Sequence, residues 1–190
     1  MKRIVVCILL LLAAVLGWLA AAQAQQAVLA EKLLRLHVVA NSDSEYDQAL
    51  KLLVRDAVLD AAGGLSDRAS VEAALPRLQA AAEAVSAGQQ VTVTLGYEEF
   101  PTRVYGSFSL PAGVYPTLRV TLGEGKGHNW WCVVFPSLCL RAASEVESVA
   151  VAAGFTEEEV TLITEEPYSI KFKTLELIQK FRRWLGSVWR

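Results

Sequence analysis

Histidine, cysteine and net charge are all scarce in this chain. Its 190 residues carry 18 basic and 20 acidic side chains, a formal net charge of −2. It therefore lacks the basic excess of a general nucleic-acid binder. Two histidines and three cysteines at scattered positions provide no pair of ligand clusters at zinc spacing. Internal repeats and low-complexity linkers are absent too. What is abundant is apolar surface, 53% of residues, enough to offset ordering entropy and exclude a disordered chain. The length allows one domain, or one domain with an appendage. The small net charge is a cancellation: residues 1–30 carry +2, residues 31–170 carry −9 and residues 171–190 carry +5.

Lys2 and Arg3 precede an uninterrupted apolar run from Ile4 to Ala22. Positive charge ahead of such a run keeps the N-terminus cytoplasmic and directs the segment through the export machinery. As a helix it spans about 28 Å, one hydrocarbon core. Small residues follow in an A-x-A pattern, Ala20-Ala21-Ala22 or Ala22-Gln23-Ala24. Residues 1–24 are thus a signal peptide or a membrane anchor, and residues 25–190 a single exported domain.

The alternation and β-branching of residues 33–40 predict a strand. Asn41-Ser42-Asp43-Ser44 is a turn, with Ser44 as N-cap and Asp47 at capping-box spacing. A helix to about Ala62 would present Ala49, Leu50, Leu53, Val54, Ala57, Val58 and Ala61 as its apolar face, with Asp47–Lys51 as an i,i+4 pair. Gly63-Gly64 ends it. Asp67 to Ala87 is one kinked helix or two, depending on Pro76. Val91 to Leu95 is a strand. Thr102–Leu110 and Val114–Leu122 flank Pro111-Ala112-Gly113 as a predicted hairpin. Trp130–Phe135 is a further strand, a helix begins near Thr156, Ser169–Lys173 is a strand and Thr174–Val188 the last helix. This order implies an α+β domain: helices packed on a mixed, largely antiparallel sheet, preceded by an N-terminal hydrophobic helix.

Gly123-Glu-Gly-Lys-Gly-His-Asn-Trp-Trp-Cys132 is the most unusual segment. Its glycines allow close backbone approach. A phosphate cradle fails, because Lys126 precedes a glycine and a strand instead of Ser/Thr and a helix. The segment reads as a surface loop entering an aromatic strand, as a recognition surface, or as a thiol nucleophile Cys132 with His128 as base. Cys132 and Cys139 are the only cysteines outside the leader, and in an exported protein they are a disulfide candidate, with buried reduced thiols as the alternative. Asn41–Asp47 begins like a calcium loop but lacks the sixth-position glycine and the twelfth-position acid, where Leu52 stands. Glu98-Glu99 and Glu165-Glu166 have no neighbours that would tune them for acid–base work. Residues 174–190 are basic and amphipathic. They suit core docking, an anionic membrane surface or an acidic partner.

Leu34-Arg-Leu-His-Val-Val-Ala-Asn-Ser-Asp-Ser44, Phe100-Pro-Thr-Arg-Val-Tyr-Gly106, Leu110-Pro-Ala-Gly-Val-Tyr115, the Gly123–Cys132 run, Phe135-Pro-Ser-Leu-Cys139 and Ile170-Lys-Phe-Lys173 together resemble the stage II sporulation protein R family. The resemblance spans about residues 31–185. It implies a signalling protein of endospore formation, exported into the space between forespore and mother-cell membranes. The resemblance further implies that it activates there a membrane-bound aspartic protease of the mother cell, which processes a sigma-factor precursor. The family has no assigned active site, so the resemblance implies no catalytic residues, cofactor or metal. The motif residues expected to meet the partner are Asn41 and Asp43 at one surface and Lys126, His128, Asn129, Trp130 and Trp131 at another. The opposing expectation is an exported cell-envelope hydrolase using Cys132 and His128.

Overall fold

The computed structural model describes residues 2–138 and 145–164, together with residues 177, 180 and 184. Strand β1 (Leu34–Val39) is buried along its whole length. It lies inside a four-stranded sheet of order β2-β5-β1-β6, where β2 is Val91–Phe100, β5 Gly113–Leu122 and β6 Asn129–Phe135. β1 runs parallel to β5, with Arg35 opposite Thr117 and Val39 opposite Thr121. Its other edge pairs antiparallel with β6, Leu36 opposite Cys132 and His37 opposite Trp131. β2 pairs antiparallel with β5. The α+β fold with a mixed, largely antiparallel sheet is the architecture the element order predicts.

Side chains alternate across a strand, so the sheet has two unlike faces. Leu34, Leu36, Val38, Leu118, Val120, Cys132 and Val134 form one core with α2 (Glu45–Ala61) and α3 (Arg68–Val85). The buried side of α2 is Asp47, Leu50, Lys51, Val54 and Val58, whereas Leu53 is 59% exposed. The helix is therefore rotated from the predicted face, because polar Asp47 and Lys51 turn inward to the loops at the sheet's end. Ser44 caps α2 as expected, accepting from the Asp47 N–H. The Asp47 carboxylate does not complete a capping box, nor does it pair with Lys51. The full box stands at α3, between Asp67 and Ser70. α3 continues through Pro76 as one helix, with Pro76 on its exposed side.

The second face divides along the strands. Towards the start of β1 it is closed by a second core of Leu29, Leu33, Phe100, Phe108, Leu110, Tyr115, Val133 and Leu138 with α4 (Val146–Ala152) and α5 (Glu157–Thr164). Helix α1 (Lys2–Glu31) enters here. Its apolar run is long enough to cross a membrane, which suits a secretion signal or an anchor. Its last turn buries Leu29 and Ala30. The helix is continuous across residue 24.

The predicted hairpin differs from this structure, and helix α4 was not predicted. Thr102–Leu110 is not one arm of a hairpin with β5. It folds on itself as β3 (Arg103–Tyr105) and β4 (Phe108–Leu110), a separate two-stranded sheet turning at Gly106. The reason is packing: Phe108 and Leu110 fill the second core, while β5 takes β2 and β1 as partners. Helix α4 carries no cap signal, since Glu145 makes no side-chain capping bond. The strand at 169–173 and Cys139 of the candidate disulfide lie outside the described residues. So does most of the 174–188 helix, of which residues 177, 180 and 184 are helical.

Replacing fully buried Leu118 on β5 by alanine should lower stability by roughly 2–5 kcal/mol. Leu53→Ala on the exposed side of α2 should change it by less than about 0.5 kcal/mol. Denaturant unfolding of the two variants checks this rotation of α2.

Candidate functional site: the loops at the carboxyl ends of β1 and β5

Parallel pairing of β1 and β5 delivers both strands' following loops to one end of the sheet. The Asn41–Ser44 turn and the Gly123–His128 loop, some eighty residues apart in the chain, are there stitched together. Gly127 N–H donates to the Ala40 carbonyl at 2.9 Å, and Lys126 N–H to the Asn41 carbonyl at 3.1 Å. The Asn41 side chain accepts from Glu124 N–H at 3.0 Å. Asp43 Oδ1 accepts from the His128 N–H at 2.6 Å and meets its ring Nδ1 at 2.5 Å. That backbone N–H is the main reason the Asp43 carboxyl sits below its ordinary range. Two glycines make the approach possible. Gly123 has φ +52°, and a Cβ on Gly127 would run into the Ser42 carbonyl.

Beneath the loops Asp47 collects their polar groups. It accepts from Ser42 Oγ at 2.5 Å, Asn41 Nδ2 at 3.0 Å and Gln89 Nε2 at 2.6 Å. The bonds from Ser42, Gln89 and Asn41 hold its carboxyl down to about 2. Lys51 reaches the His128 carbonyl at 3.0 Å and Gln48 at 2.6 Å. Its own value is lowered by burial, with Asp43 opposing.

The polar half of the second sheet face adjoins this end. His37 has both ring nitrogens engaged, Nδ1 with Glu98 Oε2 at 2.5 Å and Nε2 with Asn129 Oδ1 at 2.9 Å. Glu98 is held on its other oxygen by Arg119 at 3.0 Å. Trp131 stacks on His37 with ring centroids 5.7 Å apart, and the Arg103 guanidinium lies 3.7 Å from the Trp131 centroid. This His–Glu–Arg–Asn set is a closed network that orients its members. It leaves no ring nitrogen of His37 for a substrate. Thr92 and Thr94 lie exposed on the same face.

The expected partner residues thus fall into three groups. Asn41 and Asp43 are braces whose polar atoms are used inside the loop pair. Lys126 and His128 project outward, their side chains 75% and 77% exposed. Asn129 and Trp131 belong to the His37 network. Trp130, next to Trp131 on a strand, points to the opposite face, under the Arg55 guanidinium at 4.5 Å. The two tryptophans therefore do not share a surface. Nor does the thiol–imidazole pair form: Cys132 is buried in the helix-side core, whereas His128 is in the loop against Asp43. Among the described residues no three His, Cys, Asp or Glu side chains gather to hold a metal. The sequence reading set Glu98 aside for want of local partners, whereas His37 and Arg119 hold it, and it missed Arg119 and Gln89. Strand alternation places His37 on the Arg35 side, which was the one available signal that it needed polar partners.

The family model described as Stage II sporulation protein R (spore_II_R) matches residues 30–145. The chain is 38% identical over 168 residues to Stage II sporulation protein R of Bacillus subtilis (strain 168), covering 78% of this chain and 75% of that protein. No solved structure matches.

Because Asp47 is held at about 2 in the folded chain and near its ordinary 3.9 when unfolded, it contributes stability in full above pH 4. That contribution is lost as pH falls from about 4 through 2. Acid titration of unfolding should show a shallower loss in this window for Asp47→Asn than for the wild type, the variant starting from lower stability at pH 7.

Proposed function

The chain belongs to the stage II sporulation protein R family and has a role in sporulation, and from that premise we propose that it is an exported signal that activates a membrane-bound aspartic protease of the mother cell by binding it. One observation carries this reading. Motifs far apart in the chain are folded into a single braced loop pair that holds Lys126 and His128 outward. A rigid loop pair loses little conformational entropy on binding, and activation requires only that the ligand favour the active state of its receptor. In this reading the α1 segment takes the domain across the forespore membrane as a leader or an anchor, into the space between the two membranes. The loop pair meets the extracytoplasmic surface of the protease, whose activation leads to processing of a sigma-factor precursor. The basic residues of 174–190 add contact with an anionic membrane surface. A hydrolase using Cys132 and His128 has no support in the geometry, because the thiol is in the core.

The test is co-expression with the protease and the sigma precursor in a host that does not sporulate. Processing should depend on this chain. The double variant Lys126→Ala, His128→Ala removes exposed side chains without touching the backbone braces, and should lower processing about tenfold or more at unchanged protein level. Full processing with the double variant would exclude the loop pair as the contact, and processing that never depends on the chain would exclude the function.

A further inference from the structure

Buried cations in folded proteins are met by carboxylates or by a full set of acceptors, because desolvating an unpaired charge is costly. Arg35 departs from this rule. On β1 it faces away from α2 and α3 and is wholly buried, at 0% exposure. Its guanidinium lies 4.0 Å from the Phe100 centroid, 5.0 Å from Tyr115 and 5.7 Å from Tyr105. Nη2 donates to the Tyr105 hydroxyl, while Nε and Nη1 have no partner. No carboxylate of the described residues forms an ion pair with it. Arg119, further along the same face, has Glu98 at 3.0 Å.

The aromatic cage does not supply the missing charge. Burial pushes the Tyr115 phenol up to about 12, with Arg35 and Gln26 opposing, so Tyr115 stays neutral at physiological pH. It donates its own proton to the Pro111 carbonyl at 2.6 Å. Further unpartnered polar atoms stand on the elements that wall the same core: Arg103 Nε on β3 and Ser109 Oγ on β4. Each is able to donate. Gln26 packs against Gly113, beside Tyr115. The neighbourhood is thus rich in donors and short of acceptors, the composition of an anion receptor.

The β3–β4 hairpin lies over Arg35 on this side of the sheet. Its Tyr105 covers the guanidinium. It is a separate sheet of three paired positions, joined to the main sheet through Pro101-Thr102 and Pro111-Ala112. A two-stranded unit of that size opens more readily than the sheet beneath it.

We propose that Arg35 is the receptor for a carboxylate, from an acidic side chain of a protein partner or a small free acid, that enters beneath the β3–β4 hairpin. The carboxylate accepts from an unused N–H of Arg35 while the aromatic rings exclude water from the pair. This site stands whether or not the chain acts on a protease.

The experiment compares thermal unfolding of the full chain in detergent micelles in sodium acetate and in sodium chloride at equal ionic strength and pH. A parallel arm uses the blocked peptide acetyl-Gly-Glu-Gly-amide. Acetate at ten times its dissociation constant should raise the midpoint by about 3 °C over chloride, and Arg35→Met should abolish the rise. A response to the peptide as well as to acetate identifies an acidic side chain as the ligand; a response to acetate alone identifies a small free acid. No shift with either probe, or equal shifts in wild type and Arg35→Met, overturns the proposal. Should Arg35→Met not fold, 15N-arginine-labelled wild type gives the answer. A buried Nε–H resonance should move with acetate and not with chloride, and the absence of any such movement overturns the site.

Discussion

The burial of β1 on both faces is the constraint from which the rest of this structure follows. A strand enclosed on both sides usually reads as a continuous apolar run, yet Leu34–Val39 carries Arg35 and His37. Alternation sends Leu34, Leu36 and Val38 into the helix-side core and sets both cationic-type side chains on the other face. That face must therefore provide polar partners in a place where water is scarce. It does so for His37, through Glu98 from β2 and Asn129 from β6, and Glu98 in turn holds Arg119 from β5. One side chain from each of the four strands is tied into this network, which reinforces the register set by the backbone ladder.

The direction of β1 matters as much as its burial. Because it is parallel to β5, both strands end on the same side, and the turn after one meets the loop after the other. An antiparallel arrangement would have put Asn41 and Gly127 at opposite ends of the sheet. The loop pair then draws α2 into place: Asp47 and Lys51 face inward because Asn41, Ser42, Gln89 and the His128 carbonyl need partners. A helix that a hydrophobic count would turn towards Leu53 is turned instead by a buried carboxylate and a buried amine.

These relations explain which parts of the molecule were legible in its sequence. Strand β1, the Ser44 cap and helix α2 are local, and their periodicity and capping chemistry act within a few residues. The existence of a special loop at 123–132 was legible too, because alternating glycines have few bland explanations. What the loop does was not. Asn41 and Asp43 look like surface residues until the parallel pairing is known, and only then are they internal acceptors. Trp130 and Trp131 were expected at one surface, although the predicted strand over Trp130–Phe135 already sends adjacent side chains to opposite faces. The β3–β4 excursion was misread because Pro111-Ala112-Gly113 has the chemistry of a hairpin turn. The choice between local and distant partners for β5 was settled by long-range pairing with β1 and β2.

The junction of α1 with the second core links export to folding. Leu29, Ala30 and Leu33 are core residues, and Lys32 binds Glu159 at 2.6 Å and the Gly154 carbonyl at 3.1 Å. These residues follow both A-x-A sequences, so cleavage at either would leave them in the domain. The domain therefore keeps its second core whether the apolar segment is a leader or an anchor. If it is kept, only Gln23 to Val28 separate the apolar run from buried Leu29, about 9 Å of helix rise. A domain joined through so short and continuous a helix is held beside the bilayer in a restricted orientation, and its approach to a membrane-bound partner becomes a search across a surface instead of through a volume.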